Sequence, residues 1–224
     1  FLSGGNANKT LNTTVNEIFS ARMTGSGNLT INETDAVTLR SVTTDDSAIE
    51  VTAGGTITAT SVVSSNSSDS DDHDITLTAV GDAADILVTT ITATDMADVT
   101  LTAGDDVLDT DGADANLITA DVLTVDATSA TATGADGQTE GISLDTTVDS
   151  ADLEGQTNAG DITIDETNSI TLTDVRTADG FITVTAGDAG QQDGTITATS
   201  VISTNGSDSD DHDISLTAVG DTGD

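Results

Sequence analysis

Asp74-Ile-Thr-Leu-Thr-Ala79 alternates apolar and hydroxyl side chains with a period of two, and the turn residues Gly81-Asp82 follow it at once. The phrase returns as Asp98-Val-Thr-Leu-Thr-Ala103 and as Asp213-Ile-Ser-Leu-Thr-Ala218. Shorter or altered versions are Leu29-Thr-Ile31, Val37-Thr-Leu39, Ile49-Glu-Val51-Thr-Ala53, Ile57-Thr-Ala59, Ile162-Thr-Ile164 and Ile170-Thr-Leu172. Each puts apolar groups on one face and Thr, Ser or Glu on the other, as a half-buried strand requires. Between them stand Asn32-Glu-Thr-Asp35, Thr44-Asp-Asp-Ser47, Ala53-Gly-Gly55 and Gly104-Asp-Asp106, which are corner residues. No segment carries a convincing helical period, so the chain is expected to be all-β.

Longer repetition surrounds these phrases. Thr13-Thr-Val15 recurs as Thr146-Thr-Val148, and Leu29-Thr-Ile-Asn-Glu-Thr34 recurs as Ile162-Thr-Ile-Asp-Glu-Thr167, both at an offset of 133. Asp188-Ala-Gly-Gln-Gln-Asp193 is then an insertion of six residues, after which Gly55 to Asp82 matches Gly194 to Asp221 almost residue for residue at an offset of 139. Within the long repeat, strand phrases begin every 20 to 26 residues. That is the size of one coil of a parallel β-solenoid, in which each strand pairs with its equivalents above and below and insertions are expelled at corners. The alternating set Leu29, Ile31, Val37, Leu39, Ile49, Val51, Ile75, Leu77, Val99, Leu101, Ile162, Ile164, Ile170, Leu172, Ile214 and Leu216 should point inward. Residues 1–27 read as a leading coil or connecting segment. Residues 28–224 read as one continuous solenoid, with long repeats at about 11–143 and 144–224, the second incomplete.

Composition narrows the function classes. The 224 residues carry 40 acidic and 4 basic side chains, a formal net charge of −36. Lys9, Arg22, Arg40 and Arg176 are too few to neutralise nucleic-acid phosphates or an anionic membrane surface. No apolar run approaches the roughly 20 residues needed for a spanning helix, so no membrane insertion is expected. Phe1–Thr10 lacks the form of a signal peptide, and the chain is expected to be processed or cut from something longer. With no Cys, Trp, Tyr or Pro, there is neither a disulfide frame nor a thiolate metal site. High charge suggests disorder, but 34 Asp against 6 Glu, with 44 Thr and regular alternation, favours turns and strands.

Asp74-Ile-Thr-Leu-Thr-Ala79, Asp98-Val-Thr-Leu-Thr-Ala103, Gly160-Asp-Ile-Thr-Ile164 and Gly194-Thr-Ile-Thr-Ala198 resemble the strand repeats of filamentous-haemagglutinin-like adhesins and other giant β-strand-repeat proteins of bacterial surfaces. The resemblance covers roughly residues 28–224 and is compositional rather than catalytic. It implies a right-handed parallel β-helix, export to the cell surface, and an extended structural or adhesive role.

The acidic clusters are the chemistry to weigh. Asp69, Asp71, Asp72 and Asp74, echoed by Asp208, Asp210, Asp211 and Asp213, offer the hard oxygen ligands that Ca²⁺ prefers. Asp105, Asp106, Asp109, Asp111 and Asp114 around Gly112 form a third group. None fits an EF-hand or a nine-residue calcium β-roll, and the alternative is a hydrated surface loop. Either way these residues are expected at the surface. His73 and His212 sit inside the duplicated clusters, where neighbouring carboxylates favour the imidazolium form, and they too are expected to be exposed. Sequons at Asn8, Asn12, Asn28, Asn32, Asn66 and Asn205 agree with export and have little further weight in so Thr-rich a chain.

Parallel β-helices also host polysaccharide lyases and hydrolases, but abundant carboxylate pairs carry no specificity here, and duplicated acidic loops suit scaffolding better than a single active site. The expectation is a non-enzymatic, extracellular rod, a stalk or filament segment of a large repetitive adhesin or fibre. It would associate end to end or continue in a longer chain, present itself to cell-surface or glycan ligands, and require no cofactor. The alternative is a calcium-responsive secreted binding module, followed by a carbohydrate-active enzyme.

Overall fold

The computed structural model describes residues 2–66, 73–110, 118–127, 141–155, 160–178, 180–187, 194–204 and 213–220. Among these there are 23 strands and no helix, hence no helix long and apolar enough to cross a membrane. After β1 (Leu2–Gly4), the chain runs through β2 (Lys9–Thr13), β3 (Glu17–Ile18) and β4 (Ala21–Met23). The next coil is β5 (Leu29–Glu33), β6 (Val37–Leu39) and β7 (Val42–Asp45), followed by β8 (Ile49–Ala53), β9 (Ile57–Ala59) and β10 (Val62–Ser65). Then come β11 (Ile75–Ala79), β12 (Ile86–Val88), β13 (Ile91–Ala93), β14 (Val99–Ala103), β15 (Val107–Asp109), β16 (Ile118–Ala127) and β17 (Ile142–Glu154). The remainder is β18 (Ile162–Glu166), β19 (Ile170–Ala178), β20 (Ile182–Ala186), β21 (Ile196–Ala198), β22 (Val201–Thr204) and β23 (Ile214–Ala218).

Parallel pairing stacks these strands into three columns. The first holds β2, β5, β8, β11, β14, the ends of β16 and β17, β19, and β21 with β22. The second holds β3, β6, β9, β12, β15, the start of β17, β18, β20 and β23. The third holds β1, β4, β7, β10, β13, the start of β16 and the middle of β17. The protein is therefore a parallel β-solenoid built from tandem repeats.

Register survives unequal coil lengths. Along the first column the step is 20 residues from Leu29 to Ile49, 26 to Ile75 and 24 to Val99, yet like side chains stay stacked. Steps of 35 from Val107 to Ile142 and 32 from Ile182 to Ile214 exceed the 20–26 read from the sequence. The corner after the first column shows why glycine recurs there. A Cβ on Gly104 would collide with the Gly81 carbonyl one coil earlier, and Gly81 itself sits at φ 141°.

The two long repeats do not lie one above the other. Strands β5, β8 and β11 belong to the first column, whereas their sequence equivalents β18, β20 and β23 belong to the second. Likewise β9 and β10, from the second and third columns, have equivalents β21 and β22 in the first. The second copy is thus turned by one column about the rod.

Inside the columns runs one continuous apolar core. Of the sixteen residues expected inside, fourteen are buried, and complete burial of an Ile or Leu is worth about 1.5–3 kcal/mol. Ile214 and Leu216 depart from the expectation at 45% and 40% exposure, because β23 pairs with β20 on one side and with no other described strand.

Candidate functional site

The residue before each strand has a structural duty that governs the acidic groups. Asn8 Oδ1 accepts the Asn28 N–H at 3.1 Å, and Asn28 Oδ1 accepts the Ala48 N–H at 3.3 Å. Further along the same corner, Asp74 Oδ1 accepts the Asp98 N–H at 3.0 Å and Asp98 Oδ1 accepts the Val122 N–H at 3.2 Å. In the second column Asp106 Oδ1 takes the Gly141 N–H at 2.9 Å and Asp161 Oδ1 takes the Phe181 N–H at 2.8 Å. Each Asx side chain thus holds a backbone donor one coil on. At a corner, where strand pairing lapses, that amide would otherwise need another acceptor.

Asp74, read from the sequence as a calcium ligand, is a member of this ladder. Its counterpart Asp213 is exposed. Asp69, Asp71, Asp72, Asp208, Asp210 and Asp211 lie outside the described residues, as do Asp111, Asp114 and His212.

His73 corrects the expectation of an exposed imidazole, since its relative exposure is 0%. Its Nε2 donates to the Thr94 carbonyl, and its Nδ1 lies 3.3 Å from Asn66 Nδ2. The carbonyl can only accept, so these partners suit the Nε2–H tautomer with Nδ1 accepting from the Asn66 amide. The ring anchors the end of the acidic loop to the coil on either side.

Asp85, Asp105 and Asp106 bring ligand oxygens within 4.8 Å of one another. Asp105 and Asp106 are 1% and 2% exposed, which corrects the expectation that this acidic group lies at the surface. The sequence grouped them with Asp109, Asp111 and Asp114. The fold instead adds Asp85 from the preceding coil, whose Oδ1 lies 3.5 Å from the Asp106 amide nitrogen. The missed signal was the shared place of Asp85 before Ile86 and Asp106 before Val107, strand starts that prove to be stacked. Three converging carboxylates beside corner carbonyls have the chemistry of a hard-cation site.

All three arginines engage acidic side chains. Arg22 lies 3.6 Å from Asp45, Arg40 contacts Glu17, and Arg176 contacts Asp174. These pairs are solvent-exposed and add little stability, but they leave the surface dominated by carboxylates. No protein-family description, curated protein or solved structure matches the sequence.

Proposed function

We propose that the chain is a rod-like segment of an extracellular structural protein, a stalk or filament of the filamentous-haemagglutinin-like kind, whose role is mechanical reach and surface presentation without catalysis. The observation that carries this reading is the unbroken run of parallel columns, whose hydrophobic core follows the stacking direction instead of closing on itself. A solenoid of this type lengthens by adding coils, each in contact only with its neighbours. The half-exposed Ile202, Ile214 and Leu216 suit stacking by a further coil, supplied by a second copy or by more of the same polypeptide. The carboxylate-rich surface keeps rods soluble and mutually repelling, and is suited to a saline exterior. Cell-surface or glycan ligands would be met at the corners. Electron microscopy of the native material tests this reading, with slender rods or filaments expected. Compact particles with no end-to-end association would overturn it.

A second reading, a calcium-responsive module, is favoured by the convergence of Asp85, Asp105 and Asp106. On that reading Ca²⁺ raises the thermal midpoint by binding the folded state, and Mg²⁺ at equal ionic strength raises it less. Identical midpoints in the two ions would sink it, leaving screened surface charge as the account of the acidic groups.

A further inference from the structure

Glu33 and Glu166 hold the same place in the two long repeats, 133 residues apart, and both are buried. Glu33 closes β5 and Glu166 closes β18, in an inward register where the strand above carries Ala53 or Ala186 and the strand below carries Thr13 or Thr146. Alanine above leaves room for a longer side chain to turn toward the corner. There Glu33 Oε2 accepts the Val15 N–H at 3.0 Å, and its Oε1 accepts the Thr34 N–H at 2.8 Å. In the second copy Glu166 Oε2 accepts the Val148 N–H at 2.9 Å and the Thr146 hydroxyl at 2.8 Å, while Oε1 accepts the Asn168 N–H at 3.1 Å. Val15 and Val148 lie 18 residues back, so each carboxylate ties its own corner to the coil before. Glutamate gives the reach that aspartate lacks, and these are two of only six in the chain.

The two corners differ in access to water. Val15 is 41% exposed, whereas Thr146 is 0%, Val148 1% and Glu166 0% exposed. We propose that Glu166 is a pH-responsive clasp between the first two coils of the second long repeat, in which protonation removes a buried charge while the corner stays tied, so that the stack tightens in acid. Burial pushes the Glu166 carboxyl above the usual carboxylate range, outweighing the opposite pull of its bonds from Asn168, Val148, Thr146 and Thr167. The native state therefore takes up this proton at a higher pH than the unfolded chain does. The clasp's contribution is full in acid and is lost as pH rises through the native titration.

The charged neighbours do not supply this effect. On β17 Asp145 points to the outer face and Asp149 is an exposed corner residue, and on β18 Asp165 is exposed. Strand β20 carries no titratable group, and the nearest on β19 is Asp174, which contacts Arg176.

The test is a pH titration by NMR of the full chain with carbon-13 placed at glutamate Cδ only. The Glu166 signal is assigned by its loss in Glu166→Gln or, if that variant does not fold, by its proximity to the Val148 amide in the wild type. The expected result is titration above the ordinary glutamate value of about 4.3. Titration at or below that value overturns the proposal. Thermal midpoints give a second readout wherever Glu166→Gln folds. The wild type should gain on the variant as the pH falls from neutral toward about 4, and a difference that stays flat or reverses also overturns it.

Discussion

Strands β11 and β23 carry nearly the same five residues, Ile-Thr-Leu-Thr-Ala and Ile-Ser-Leu-Thr-Ala. Ile75 and Leu77 of β11 are nevertheless 0% exposed, whereas Ile214 and Leu216 of β23 are 45% and 40% exposed. The difference lies in what stacks on them. β11 has β8 on one side and β14 on the other, while β23 has β20 alone among the described strands. The same contrast separates β9, whose Ile57 and Ala59 are fully buried, from β21, whose Ala198 is exposed. Alternation therefore encodes which face of a strand is apolar. The adjoining coil decides how deep that face lies, so stability in such a rod is a property of neighbouring coils more than of single strands.

Truncation of the two matched leucines should separate these ideas most sharply. Leu77→Ala removes a side chain packed from both sides and is expected to cost about 3–5 kcal/mol, measured by urea unfolding. Leu216→Ala should cost less than half as much, because its side chain already meets water. Equal losses would mean that β23 is as deeply packed as β11.

A smaller effect is expected at the Asx ladder. Asp98→Ala strips the acceptor from the Val122 N–H and should cost about 1–2 kcal/mol, whereas Asp98→Asn should be nearly neutral, since Asn8 and Asn28 perform the same duty with an amide oxygen. Asp213→Ala, at an exposed position, should stay within about 0.5 kcal/mol. If Asp98→Asn proved as damaging as the alanine variant, the carboxylate charge would matter and the ladder would not be the reason for it. The smallest expected change is Thr76→Asp, on the outer face beside Glu50, at about 0.5 kcal/mol through like-charge repulsion.

Much of this was legible in the residues. The five-residue strands of the first column, the corner glycines and the long repeat all follow from local alternation and self-similarity, which need no knowledge of what touches what. The burial of His73 was hidden, because its acidic neighbours in sequence suggested water while its partners Asn66 and Thr94 flank it across coils. Asp85 was missed for a related reason. It joins Asp105 and Asp106 only once 21 intervening residues are known to make one turn. The one-column displacement of the second copy depends on the long passage from Val107 to Ile142, and repeat matching is blind to where such a passage lands on the rod. The paired glutamates lay in plain sight in the duplicated Glu-Thr phrases. What distinguished them was inward placement at a strand end, a feature of the fold.

The central claim is that successive coils stack in register at a constant rise, whatever the length of chain between them. Because the chain has no cysteine, spin labels can be attached at chosen pairs without background. Thr10, Thr30, Glu50, Thr76, Thr100 and Thr124 follow one another up the outer face of the first column. With Thr10→Cys as the fixed label and Cys placed in turn at Thr76, Thr100 and Thr124, electron-spin distance measurement should give means rising in even steps of about 4.8 Å, near 14, 19 and 24 Å before label length is added. Distances that fail to rise in this order, or that jump with the length of the intervening loops, would contradict the stacked-coil account.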